Sequence, residues 1–124
     1  MTKLLGHVCR GKGDFAEWIA KLRDHYQRMT GLLLFPGTLN VRLDSPYHIP
    51  PHRLRLEAAE YGGTVSVNLI PCKVFGRPSF ILRTDKEEEG KGSHSFEMVE
   101  IATDVKLRDA YGLKDGSPVE IEVE

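Results

Sequence analysis

The segment FPGTLNVRL, residues 35–43, decides the fold class of this chain. Its last five residues alternate apolar and polar side chains, which is the two-residue period of a half-buried β-strand. The Pro-Gly pair before them predicts a turn that leads into this strand. Since side chains alternate across a strand, Thr38 and Asn40 are expected to share the face opposite to the apolar residues.

The strand pattern recurs along most of the chain. Further segments that carry it are 3–9, 54–58, 65–68, 73–75, 79–83, 96–102 and 119–123. Prolines such as Pro71 are expected to separate these strands, because each biases its predecessor away from helix and removes a backbone donor. Six or more short strands in so short a chain favour a small closed barrel, which leaves no sheet edge exposed.

Two helices are predicted. Apolar residues at helical spacing run from Phe15 to Met29, with Asp14 as the N-cap and Gly31 as the stop. A shorter C-terminal helix is predicted over residues 104–111, capped by the aspartate at its first position. The fold class is therefore mainly β, with one main helix and a short C-terminal helix.

Length and composition bound the possible functions. The 124 residues fit a single domain spanning 1–124, and 40% apolar with 28% charged residues is typical of a globular protein. Seventeen basic against eighteen acidic residues give a net charge of −1, which argues against nucleic acid or an anionic membrane as the partner. Cys9 and Cys72 have no metal-ligand spacing, and the N-terminus carries no signal-peptide pattern, so a cytoplasmic location is expected.

Three short segments are candidates for chemistry. The Thr38 hydroxyl and the Asn40 amide oxygen are hard ligands suited to Mg²⁺, although a polar strand face exposed to water has the same pattern. The glycines at 11 and 13 precede a helix start, where main-chain N–H groups can hold phosphate, although an ordinary strand-to-helix turn looks alike. Residues 104–108 offer two cations at a second helix start, or an ordinary surface helix. His94 and Glu100 are either an acid–base pair or an unrelated surface histidine and strand glutamate.

The segment Thr84–Ser95 holds three consecutive glutamates and two glycines but no large apolar residue. It is predicted to be a mobile loop, and loops of this length in small domains often act as lids.

Taken in order, four segments of the chain resemble the archaeal-type CTP-dependent riboflavin kinase family. They are GKG (11–13), PGTLNV (36–41), HSFEMVEI (94–101) and KLRDAYGLKDG (106–116). The resemblance covers nearly the whole chain. The glycine loop is shorter than the family's, and Gly92 stands where the family has a flavin-contacting threonine.

The resemblance implies a six-stranded cradle-loop barrel that transfers the γ-phosphate of CTP to the 5′-hydroxyl of riboflavin and so makes FMN, with Mg²⁺. The protein is expected to be a monomer. Thr38 and Asn40 would hold the metal, and Glu100 would bind flavin and is the candidate catalytic residue, with Ser93 beside it as a flavin contact. The nucleotide would be bound by Gly11, Lys12, Gly13, Asp14, Phe15, Val105, Lys106, Leu107 and Arg108.

Two other classes of function fit the same sequence. One is a flavin- or nucleotide-binding barrel without kinase activity, which the shortened glycine loop favours. The other is a barrel used for DNA binding or protein assembly, against which the balanced charge counts.

Overall fold

The computed structural model describes residues 2–11, 14–85 and 96–123. Within them, short stretches of alternating apolar residues form the strands, and the one long stretch with helical spacing forms two consecutive helices separated by a single residue. The strands are β1 (Thr2–Cys9), β2 (Leu39–Leu43), β3 (Leu54–Leu56), β4 (Val67–Val74), β5 (Arg77–Thr84), β6 (Met98–Ala102) and β7 (Pro118–Val123). The helices are α1 (Asp14–Lys21), α2 (Arg23–Thr30) and α3 (Leu107–Tyr111), with one 3₁₀ turn at Ala58–Tyr61.

The strands close into an antiparallel barrel. The order is β4-β5-β6-β2-β1-β7, and β7 returns to pair with the end of β4 at Cys72–Val74. The start of β4, Val67–Leu69, pairs with the short strand β3 on that same edge. Closure satisfies the ladder hydrogen bonds on both edges of each barrel strand. The predicted six-stranded barrel is confirmed.

Alternation along the strands creates two apolar cores. One core fills the barrel and draws buried residues from all six of its strands, for example Val41, Ile81 and Ile121. The other lies between the outer face of β4–β6 and the helices, where Ile19 and Tyr26 are fully buried. The main helix is therefore a cover that holds one side of the barrel.

The predicted main helix is interrupted once, at Leu22, where the backbone angles are φ −104° and ψ 24°. The N–H of Leu22 still donates to the Trp18 carbonyl at 2.9 Å, and the N–H of Tyr26 donates to the Leu22 carbonyl at 3.0 Å. The break therefore keeps the helical phase, and a single apolar face continues through α1 and α2. The predicted stop at Gly31 is confirmed, with φ 76° in the left-handed region that favours glycine.

Two expectations about strand and helix ends are wrong. Pro71 does not separate two strands but lies inside β4, at the point where that edge passes from β3, paired through Leu69, to β7, paired from Cys72. A residue without an N–H is tolerated at such a gap in pairing. The N-cap of α3 is Lys106 rather than Asp104, whose carboxylate accepts a hydrogen bond from Arg77 at 2.7 Å.

From residue 86 onward the predicted loop Thr84–Ser95 lies outside the described residues. Over the ranges that are described, no helix is long and apolar enough to cross a membrane.

Candidate active site

The centre of the site lies on β2 and β6, which run antiparallel side by side. Their register places Asn40 directly opposite Glu100. Both residues alternate with side chains of the barrel core, so they lie together on the outer face of the sheet. They are nevertheless buried, with 8% of Asn40 and 4% of Glu100 exposed.

Thr38 joins this pair from the residue just before β2. Its hydroxyl donates to Glu100 Oε1 at 2.9 Å, across the sheet from β2 to β6. Thr38 and Asn40 therefore lie in one cluster with the carboxylate of Glu100, which comes from a strand sixty residues later in the sequence.

Gly11 brings the main chain of the glycine turn against this cluster. A Cβ built on Gly11 would lie 2.1 Å from both Cγ and Oδ1 of Asn40 and 2.2 Å from its Nδ2. No side chain fits at that distance, because carbon atoms in contact are about 3.5–4.0 Å apart. Glycine at position 11 is therefore required by close approach to the Asn40 amide.

The amide oxygen of Asn40 has an unused hydrogen-bonding capacity. It is buried and has no hydrogen-bond partner among the residues that the structure describes. Leaving such a group unsatisfied costs about 1–3 kcal/mol, so an orphaned acceptor at a glycine turn points to a bound group.

The oxygen atoms at this point fit a divalent cation. The Asn40 oxygen and the lone pairs of the Thr38 hydroxyl are hard donors, of the kind that Mg²⁺ takes alongside water and phosphate oxygens. Two neutral protein ligands leave most of the coordination sphere to phosphate. Thr38 and Asn40 are therefore able to hold this ion.

A narrow cleft of about 70 Å³ opens beside Thr38. It lies between the turn before β2 and the start of α3. Its lining residues are Phe35, Gly37, Thr38, Leu39, Ile101, Val105, Lys106, Leu107 and Arg108. The structure therefore brings the segment 105–108 close to Thr38, one of the two candidate metal ligands.

Arg108 ties α3 to the end of β1. Its Nη2 donates to Asp115 Oδ1 at 2.6 Å and to the carbonyl of Cys9 at 3.3 Å. Arg10 Nε lies 3.8 Å from the other oxygen of Asp115. The hydrogen bond from Arg108 keeps the pKa of the Asp115 carboxyl below its ordinary value. Asp115 thus holds two guanidinium groups beside the entry to the glycine turn.

Two residues that were predicted to bind nucleotide could reach it only through their main chain. The side chains of Phe15 and Leu107 are only 6% and 3% exposed and belong to the two apolar cores. Lys12, Gly13 and Ser93 lie outside the described residues, as does His94, and for Asp14 the structure describes the start of α1.

Sequence reasoning missed two residues that hold the site's framework. Asp115 lies in the segment 106–116 that resembles the family, but nothing in the local pattern reveals its guanidinium partners. Arg83 ends a predicted strand, yet its guanidinium is 2% exposed and donates to the carbonyl of Met98 at 2.9 Å and to that of Tyr47. It fixes the segment after β2 against the start of β6. An arginine at the end of a predicted strand is usually exposed, so the sequence did not indicate that Arg83 is buried and bonded to these carbonyl groups.

Comparison with known proteins gives a matching family and several relatives. Residues 8–123 match the sequence profile of the family CTP-dep_RFKase, which is described as "Domain of unknown function DUF120". The chain is 32% identical over 136 residues to "Riboflavin kinase" of Pyrobaculum aerophilum, covering 98% of this chain and 60% of that protein. It is 33% identical over 132 residues to "Riboflavin kinase" of Methanospirillum hungatei, covering 97% and 57%.

A third relative, "Riboflavin kinase" of Methanopyrus kandleri, is 29% identical over 134 residues, which cover 96% of this chain and 81% of that protein. The chain thus spans about 60% of the length of the first two relatives and more of the third. With the profile matched from β1 to β7, the chain belongs to the CTP-dependent riboflavin kinase (DUF120) family.

Proposed function

We propose that this chain is a riboflavin kinase that transfers the γ-phosphate of CTP to the 5′-hydroxyl of riboflavin, giving FMN and CDP. The observation that carries the proposal is the convergence on one point of the Gly11 main chain, the unpartnered Asn40 oxygen and the Thr38–Glu100 hydrogen bond. Membership of the family gives the substrates, since its name specifies CTP and its relatives are named riboflavin kinase.

The reaction exchanges one phosphorus–oxygen bond for another. The riboflavin hydroxyl oxygen bonds to the γ-phosphorus of CTP, the bond to the β-phosphate oxygen breaks, and the hydroxyl proton is released. Such transfers depend mainly on positioning and charge stabilisation, which small neutral ligands and main-chain donors supply.

Thr38 and Asn40 would hold Mg²⁺, which when bound neutralises charge that develops on the phosphate oxygens. The main-chain N–H groups from Gly11 to Phe15 would hold the phosphates at the start of α1, where the helix dipole favours an anion. The rest of the nucleotide would lie along 105–108, where Val105 and Lys106 offer side chains at the cleft and Leu107 offers its main chain.

Glu100 would bind the flavin, and it is the candidate for accepting the hydroxyl proton. Its carboxylate is fixed within the site by β6 and by the Thr38 hydroxyl. Residues 1–124 would act as one barrel domain and as a monomer, since both apolar cores and the site are built from this one chain.

The test is to incubate the purified protein with riboflavin, MgCl₂ and each of CTP, ATP, GTP and UTP, and to separate FMN and CDP by chromatography. FMN is expected to form with CTP faster than with the other nucleotides and to stop when EDTA is added. Equal or better turnover with ATP would refute the CTP preference and leave the kinase activity standing.

Failure of every nucleotide to yield FMN, with flavin binding confirmed by fluorescence quenching, would replace the kinase by a binding module. Salt-dependent binding of DNA without flavin binding would favour the alternative of a barrel used for DNA binding.

A further inference from the structure

We propose that Glu100 is a positioning residue of the metal site: through the Thr38 hydroxyl it turns the lone pairs of that oxygen toward the cation. This inference rests on the proposed function, because it concerns how the same site holds its metal. It gives Glu100 a role that is separate from flavin contact and from proton transfer.

The chemistry of a hydroxyl makes this role necessary. The group has one hydrogen and two lone pairs, and the hydrogen rotates to whichever acceptor is nearby. In this structure the acceptor is Glu100 Oε1, at 2.9 Å from the Thr38 oxygen. With its hydrogen directed at Glu100, the Thr38 oxygen presents only lone pairs in the remaining directions, as a metal ligand must.

Glu100 is placed more rigidly than the residue it orients. β6 is hydrogen-bonded on both sides, with Glu100 opposite Asn40 of β2 and Leu82 of β5. Thr38 lies one residue before β2, whose pairing with β6 begins at Leu39, and it is half-buried. The hydrogen bond therefore ties a side chain at the open end of a strand to the middle of the sheet.

Burial strengthens this hydrogen bond. Glu100 is 4% exposed, so water competes little for its carboxyl oxygen, and a hydrogen bond is stronger in the low dielectric of a protein interior. Partners that orient metal ligands in this way change metal affinity by about 10–100-fold when they are removed.

The test measures the affinity of the protein for Mn²⁺ in the presence of saturating CDP and without flavin. Free Mn²⁺ is quantified by its electron paramagnetic resonance signal. The variants are Glu100→Gln, Glu100→Asp, Thr38→Val and the double variant Glu100→Gln/Thr38→Val. Glu97→Gln is the matched control, because Glu97 lies just before β6 and pairs with Arg42 at 3.6 Å, outside the site.

A carboxylate only accepts hydrogen bonds, whereas the amide of Gln can present either its oxygen or its NH₂ group to the Thr38 hydroxyl and so no longer fixes the direction of the hydroxyl hydrogen. Glu100→Gln is therefore expected to weaken Mn²⁺ binding ~10–100-fold in the presence of Thr38. In the Thr38→Val background, Glu100→Gln should change Mn²⁺ affinity by a factor at least ~10 times smaller. A direct electrostatic effect of the Glu100 charge on the ion would be the same in both backgrounds, so the ratio of the two fold-changes reports only the effect that passes through the Thr38 hydroxyl. Glu100→Asp keeps the charge but is one methylene too short to reach the hydroxyl, so it should weaken binding as well. Glu97→Gln should leave it unchanged.

Equal effects of Glu100→Gln in both backgrounds, or full Mn²⁺ affinity in Glu100→Asp, would overturn the inference. An unfolding midpoint for each variant identifies any that fails to fold, and Glu100→Asp and Glu100→Gln are then independent tests. If the protein makes no FMN but the effect of Glu100→Gln on Mn²⁺ affinity depends on Thr38, the kinase proposal alone is refuted. If the protein makes FMN but that dependence is absent, this inference alone is refuted. No Mn²⁺ binding by the unaltered protein with CDP refutes both.

Discussion

Adding one methyl group at Gly11 is expected to disable the site through Asn40. The new Cβ of Gly11→Ala would lie 2.1–2.2 Å from the Asn40 amide atoms, so the amide must move by roughly 1.5 Å to reach van der Waals distance. A misplacement of about 1 Å can cost a factor of ~10² in rate, and losing one strong electrostatic contact costs about the same. Both Gly11→Ala and Asn40→Ala should therefore lower kcat/KM for CTP by ~10².

The double variant decides whether the two effects share a cause. Asn40→Ala removes the atoms that the methyl group would meet, so Gly11→Ala should have little further effect in that background. Gly11 does not have the positive φ of Gly31 or Gly116, so the backbone accepts alanine, and the unfolding free energy should fall only by the cost of displacing the buried Asn40 amide, about 1–3 kcal/mol. Steady-state FMN formation and chemical denaturation measure these quantities. Full activity in Gly11→Ala, or losses that multiply in the double variant, would refute the reasoning.

Two further outcomes are expected. Asp115→Asn should raise KM for CTP a few-fold with kcat unchanged, because Arg108 loses the carboxylate that lies 2.6 Å from its guanidinium. The effect is small because exposed ion pairs contribute about 0–1 kcal/mol. The control is Glu120→Gln, which removes the surface ion pair with Lys3 and should leave KM for CTP unchanged. Burial raises the pKa of the Cys72 thiol to about 12 and also raises that of the half-buried Cys9. Since a raised pKa leaves less thiolate at pH 8, iodoacetamide should label Cys9 slowly and Cys72 more slowly still; mass spectrometry showing faster labelling of Cys72 would contradict the packing.

Local pattern was sufficient to predict the pieces of the site. The alternation in residues 39–43 sets the strand, and strand geometry then places Thr38 and Asn40 on one face. The helix that follows β1 was also predictable, because helical periodicity is a local property.

Contacts between distant segments could not be predicted from the chain itself. The register that sets Asn40 opposite Glu100 depends on pairing across sixty residues, and the approach of Gly11 to Asn40 depends on the closure of β1 against β2. The resemblance to the family brought these residues together as a group but gave no hydrogen bond between Thr38 and Glu100. Partners of this kind come from tertiary structure alone.

The errors have the same origin. Pro71 is unfavourable in a strand only where its missing N–H would be needed, and the sequence does not show that β3 and β7 share that edge of β4. Asp104 is a good N-cap residue by type, but Arg77 of β5 takes its carboxylate. In each case a long-range neighbour overrode a local preference.

The central claim is that the cluster of Thr38, Asn40 and Glu100 is a phosphoryl-transfer centre. The most direct measurement uses CTP radiolabelled in the γ-phosphate and follows the label into FMN, with the unaltered protein and Asn40→Ala compared at equal folded concentration. The label should enter FMN only when Mg²⁺ is present, and Asn40→Ala should slow its transfer by ~10². Unlabelled FMN, or equal transfer by both proteins, would contradict the claim.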